Sequence, residues 1–183
     1  MTIGGRTLHG ADVLLAALGI AFAVSALLAS GWRNDMDIFM QASCDLLAGE
    51  NVYTRQYNNW YSYFYSPLFA LLLYPLALLP AVMAKLLWNA LALLLIWRTV
   101  RIVLSMLPLD GWPARRANLL VALAILFCFQ AIRDNLNAGQ TTPLLLWACV
   151  EGLHQARSGR AWIAALILGL AIDAKLLPLI LLP

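Results

Sequence analysis

Residues 11–30, ADVLLAALGIAFAVSALLAS, form an apolar run of about 20 positions, and at ~1.5 Å of rise per residue that is enough helix to cross hydrocarbon. Apolar stretches return at 66–97, 118–132, 141–153 and 161–172. Lipid offers no water to an open N–H or C=O, so each stretch has to pair its own backbone groups as a helix. The expected fold is all-α: a polytopic transmembrane helical bundle, a single transmembrane domain over 1–183. Composition agrees, with 63% hydrophobic residues, 11% charged residues and a mean hydropathy of +0.80, unlike a soluble domain. A cleaved signal peptide is the competing reading of the first run. That run is longer than a usual h-region, and Leu27-Leu28-Ala29 lacks a small residue at the first cleavage-defining position.

Several function classes drop out. The net charge of +3 is small and its cations are scattered, so no basic face tracks a nucleic-acid backbone. Cys44, Cys128 and Cys149 lack paired metal-ligand spacing. No Gly-rich phosphate loop follows a strand pattern and no Ser-His-Asp set assembles. No internal repeat supports a symmetric transporter.

Charge sets the topology. Pro67, Pro75 and Pro80 interrupt the stretch 66–97 and Lys85 follows them, so it reads as one broken crossing or two joined ones. One net crossing puts Arg98, Arg101, Arg115, Arg116, Arg157 and Arg160 on the side of Arg6, as the positive-inside rule expects. Pro67 to Pro80 is then a broken or partly re-entrant piece. Asn118 to Ile132 crosses outward, Arg133 to Gln140 is a tight polar turn, Thr141 to Leu153 returns, His154 to Arg160 is an inner loop, and Ala161 to Ile172 crosses outward again. Asp35, Asp37, Asp45, Glu50, Asp134, Asp173 and Lys175 collect on the outer side. The expected setting is the plasma (inner) membrane, multi-pass, with an extracytoplasmic active side. The final LLPLILLP stops in an apolar segment without a polar flank, which reads as a domain incomplete at its carboxy end.

The first outer loop, 31–65, carries a helix pattern. From Asp37, DIFMQASCDLLAGENVY places Phe39, Ala42 and Leu46 on one face and Asp37, Gln41 and Asp45 on another. Asn34 or Asp35 can cap the start and Gly49 can close the end, giving an amphipathic helix along the bilayer surface. Trp60, Tyr61, Tyr63, Phe64 and Tyr65 then form an aromatic belt before the next apolar stretch.

A carboxylate at a membrane surface can take a proton from an acceptor hydroxyl. Asp37 is the candidate base and Asp35 a second candidate acid. The plainer alternative is that both merely stabilise a helix N-terminus, where negative charge is favoured by about 0.3–1 kcal/mol. Their D-x-D spacing is a weak pattern for a divalent cation; no cofactor is otherwise indicated. Arg133, Asn137 and Gln140 suit sugar hydroxyls or phosphate, or equally a self-bonded turn. Lys175, beside Asp173, suits a phosphate, or equally snorkels to the interface without a ligand.

In order and spacing these pieces resemble glycosyltransferase family 87, a C-type group. The resemblance lies in Asp37-Ile38-Phe39, Ala42-Ser43, Leu47-Ala48-Gly49 and Tyr53. It continues through Tyr65-Ser66-Pro67-Leu68, Pro75-Leu76, Pro80, Asn137-Ala138-Gly139-Gln140, and Gly169-Leu170-Ala171 before Lys175 and Pro178. It covers nearly the whole chain and looks like the amino-terminal half of the family's usual length. It implies transfer of a hexosyl (mannose-like) or pentosyl group from a polyprenyl-phosphate donor, without a nucleotide, to a lipid or glycan acceptor. Asp37 takes the family's acidic position in the first outer loop, with Asp35 a local addition. Tyr53, Tyr65, Arg133, Asn137, Gln140 and Lys175 are the candidate substrate-binding residues. A lipid flippase or small-solute transporter is the alternative, and would place ionisable groups at mid-span; a non-catalytic membrane fragment is another.

Overall fold

The computed structural model describes residues 34–58, 60–107 and 112–181, together with 2–3, 6–7 and scattered helical positions between 12 and 24. The expected first span at 11–30 lies largely outside them. A two-residue ladder pairs Thr2–Ile3 with Arg6–Thr7. Beyond position 34 the described chain folds as α1 (Asp35–Leu47), α2 (Pro67–Ala77), α3 (Ala81–Met106), α4 (Ala114–Ala138), α5 (Thr142–Arg157), α6 (Ala161–Ala174) and a 3₁₀ turn, Leu177–Leu181. Helices α3 and α4 are long and apolar enough to cross a membrane.

Local chemistry explains these boundaries. Asn34, not Asp35, caps α1: its side chain accepts from Asp37 N at 3.3 Å while Asp37 Oδ2 accepts from Asn34 N at 2.9 Å, a reciprocal capping box. Gly49 (φ 81°) closes the helix as expected, with Gly49 N bonded to Leu46 O and Glu50 N to Asp45 O. Ser66 caps α2 by accepting from Phe69 N, and Pro67 occupies its first turn, where a missing N–H costs nothing. Pro80 starts a new helix, and the residue before a proline avoids helical backbone. The stretch 66–97 is therefore a short helix of about 16 Å followed by a long one.

Three expected boundaries are corrected. Helix α3 continues to Met106 rather than ending at Trp97. The segment Arg133–Gln140 is not a tight turn: α4 runs through Ala138, and the reversal is confined to Gly139 and its neighbours. Asn135 Nδ2 bonding to Ala131 O and Gln130 bonding to Asp134, each across one turn, let these polar residues remain helical. The basic loop at His154 likewise begins only after Arg157. In each case polar side chains at a helix end stay helical, because polarity sets exposure rather than backbone shape.

Among the described residues the core falls into four clusters. Met36, Phe39 and Ala42 of α1 pack on Phe69, Ala70 and Leu73 of α2, with Trp88 of α3 behind them. Phe39 meets Tyr65 and Phe69 edge-on at ring separations of 4.8 and 5.6 Å. Leu145 and Ala148 of α5 pack on Ala171 of α6, and a Cβ on Gly152 would fall 2.6 Å from the Leu168 side chain. Helix α4 touches α3 along Ala117, Val121 and Ile125 and leaves Leu126 and Phe127 exposed, a face suited to lipid.

Helix α3 ties the two ends together. Near its start Lys85 pairs with Asp37. Near its end Arg98 makes a two-point bond to Glu151 of α5, at 2.9 and 3.1 Å, and Arg101 pairs with Asp12 while lying over the Trp97 ring. Asp12 stands at the second position of the first apolar run.

Candidate active site

Segments far apart in sequence meet at the first turn of α1. Asn34 Nδ2 donates to Asn137 O at 3.1 Å, and Trp88 Nε1 donates to Gly139 O at 3.1 Å. A Cβ on Gly139 would come within 2.8 Å of Met36 Cβ, and its φ is 67°. Only glycine allows both this left-handed turn and this close approach. The turn after α4 is thereby held against the carboxylates of α1.

Lys85 Nζ lies 3.1 Å from each oxygen of Asp37, and both side chains are more than four-fifths buried. With the capping bond, Asp37 therefore has three of its roughly four acceptor positions filled. Asp35, half-buried on the same turn, faces the charge of Lys175. Burial raises its carboxyl above the usual carboxylate value, and Lys175 draws it part of the way back. Asp173, two residues before Lys175, accepts from the hydroxyl of Ser66. Ser66 O in turn accepts from the buried Tyr63 hydroxyl at 2.8 Å. Burial, followed by the neighbouring tyrosines, pushes the Tyr63 phenol well above its ordinary range, so it stays a neutral donor.

The other sequence candidates are placed less uniformly. Tyr53, half-exposed, donates to Tyr65 O at 3.0 Å, and the Tyr65 ring is packed among Phe39, Tyr63 and Phe69. Asn137 and Gln140 are exposed at the turn; Asn137 offers its carbonyl to Asn34, and Gln140 accepts from Thr142 at 3.5 Å. Arg133 contacts its neighbour Asp134 at 3.4 Å in the open and is not joined to the cluster by any described bond. Lys175, exposed, follows the last turn of α6 in extended backbone. Among the described residues no group of three His, Cys, Asp or Glu side chains gathers to hold a metal, and the two acids of the D-x-D pattern answer to different lysines. Lys85 was the partner sequence reasoning missed. A single lysine in a long apolar stretch was the signal, because such a charge needs a counter-ion.

Beyond position 34 the described chain is helical, with two helices long and apolar enough to cross a membrane and a knot of carboxylates and lysines at one end. The chain belongs to glycosyltransferase family 87, whose family model matches residues 63–183. A relative from Mycobacterium tuberculosis (strain CDC 1551 / Oshkosh), a polyprenol-phosphate-mannose-dependent alpha-(1-2)-phosphatidylinositol pentamannoside mannosyltransferase, is 29% identical over 118 residues. That alignment covers 63% of this chain and 26% of the relative, so the chain spans about a quarter of the relative's length. No solved structure matches the chain. The family match begins after α1, so Asp35 and Asp37 are tied to it through their contacts with Lys85, the Asn137–Gly139 turn and Lys175.

Proposed function

We propose that this chain carries part of the active site of a membrane glycosyltransferase. It would transfer a hexosyl (mannose-like) or pentosyl group from a polyprenyl-phosphate sugar to a lipid or glycan acceptor on the extracytoplasmic side of the plasma (inner) membrane. The observation behind this reading is the meeting of Asp35, Asp37, Lys85, Asp173 and Lys175 at one end of the helices, in a chain of this family. The distribution of arginines supports the sidedness, since Arg98 and Arg101 lie at the opposite end of α3 from Lys85.

Asp37 serves as general base. It removes the proton from the acceptor hydroxyl as that oxygen attacks the anomeric carbon. The bond from that carbon to the phosphate oxygen breaks, and its electron pair leaves with the polyprenyl phosphate. Lys85 fixes the carboxylate by touching both its oxygens, and Lys175 offsets the charge on the departing phosphate. Asp35 balances Lys175 before the donor binds and is the second candidate acid. The test is transfer of radiolabelled mannose from polyprenyl-phosphate mannose in membranes holding the protein. Asp37→Asn is expected to lower turnover by about a hundredfold or more; unchanged turnover removes Asp37 from the mechanism.

A further inference from the structure

A cavity of about 430 Å³ opens beside α1, on the flank that carries Asp37, within the ~300–1,000 Å³ typical of small-molecule clefts. Its polar wall is Asp37, Gln41, Asp45, Arg55, Gln56 and Tyr57, and Ala77 and Leu79 from the α2–α3 turn are its apolar side. The charges on this wall are already matched. Asp37 is paired with Lys85, and Asp45 meets Arg55 at 3.1 Å. An anion would face two carboxylates, and a metal ion would have to displace two cations, so the wall suits a neutral ligand. What it offers such a ligand is carboxylate oxygens, amides that both give and accept, a guanidinium and a phenol, the set that hydroxyl groups bond from either side.

Tyr57 supplies an independent sign that something belongs there. The residue is 2% exposed, and its hydroxyl is buried without a hydrogen bond of normal geometry, although the Asp45 carboxylate lies beside it. An unmet buried hydroxyl costs about 1–3 kcal/mol unless a ligand or water completes it. The ring is held by a small backbone loop in which Tyr57 N donates to Tyr61 O and Tyr61 N returns the bond to Tyr57 O. Burial above all, with the Asp45 charge adding to it, pushes the phenol up to about 12, so it stays a donor at neutral pH.

We infer that this cavity binds a neutral polyol ring, the hydroxyl-bearing end of the acceptor, so that one hydroxyl reaches Asp37. Its role as the acceptor subsite rests on the transferase reading; its recognition of hydroxyls does not. Cys44 lines the cavity and is exposed, which provides a direct readout. The protein in membranes is treated with an impermeant maleimide while methyl α-mannoside is added as the probe, and Cys44→Ser identifies the labelled position. Saturable protection is expected, weakened about tenfold in apparent affinity by Tyr57→Phe or Gln41→Ala, the loss of one or two hydrogen bonds, and unchanged by Lys175→Ala. No saturable protection, or protection indifferent to Tyr57 and Gln41, overturns the inference. In the transfer assay Tyr57→Phe should raise the KM for acceptor with kcat and donor KM kept; a fall in kcat alone also overturns it. If methyl α-mannoside protects Cys44 through Tyr57 and Gln41 while the wild-type protein transfers no sugar, the transferase reading fails and the hydroxyl site stands.

Discussion

Asp35 and Asp37 stand on one helical turn, about 200° apart around its axis, and the fold gives each a different lysine. Asp37 is held by Lys85 and the cap; Asp35 answers to burial and to Lys175. The consequence for pH has a definite sign. The folded carboxyl of Asp35 lies above its usual 3.8, so the native state holds that proton to higher pH than the unfolded chain. Stability is then greatest below the unfolded value and declines as pH rises through the folded one. Unfolding in detergent between about pH 4 and 7 should show this decline vanish in Asp35→Asn and extend to higher pH in Lys175→Met. Asp37 separates structure from chemistry differently. Asp37→Asn removes the anionic partner of Lys85 and should lower the melting temperature, whereas adding Lys85→Met should restore part of the stability and none of the transfer. Recovery of transfer in the double variant would contradict a base at Asp37. The acidic pair was legible in the sequence because carboxylates after an asparagine mark a helix start. Which lysine each would meet was not, since Lys85 and Lys175 come from elements 48 and 140 positions further on.

At the scale of elements, two glycines with positive φ make a controlled comparison. Gly49 has nothing within 4 Å of where a Cβ would be, whereas Gly139 has Met36 at 2.8 Å. Alanine at either position takes on left-handed backbone at roughly 1–2 kcal/mol, but only Gly139→Ala also forces α1 off the turn after α4. Thermal unfolding should therefore show the larger loss for Gly139→Ala, accompanied by loss of transfer, while Gly49→Ala keeps its activity. Equal losses would mean that the Met36 approach is relieved at no cost. Gly49 could be foreseen as a helix stop from its place after an amphipathic stretch. Gly139 could be placed in a motif, but its closeness to Met36 is a contact between residues 103 positions apart and leaves no local trace. The overrun of α3 and α4 past their expected ends has the same cause. Hydropathy reports which residues shun water, and helices continue into water wherever side chains such as Asn135 and Gln130 bond one turn back or ahead.

For the whole molecule, α3 works as a strut of about 39 Å. Lys85 is bound to α1 at one end, and Arg98 and Arg101 are bound to α5 and Asp12 at the other. This arrangement predicts two chemically distinct sides. An impermeant thiol reagent on intact cells should label Cys44, which is exposed, and should spare a cysteine introduced as Arg157→Cys. Labelling of both would collapse the proposed sidedness. Glu151, 5% exposed as a side chain, loses its charge partner in Arg98→Met. The cost should fall below the about 3–5 kcal/mol of a fully buried pair, because the Arg98 side chain is 41% exposed.

Hydropathy, proline positions and capping residues determined by themselves that this chain is helical, that prolines interrupt its stretch 66–97, and that an acidic amphipathic helix follows the first apolar run. Those properties are set within a few residues of one another, where backbone geometry and transfer from water act. Only the tertiary structure decided which charges are neutralised, which turn lies against the acids of α1, and that a polyol-sized cavity adjoins Asp37. Such features depend on side chains brought within about 3–4 Å across the whole chain, a distance that sequence separation does not encode.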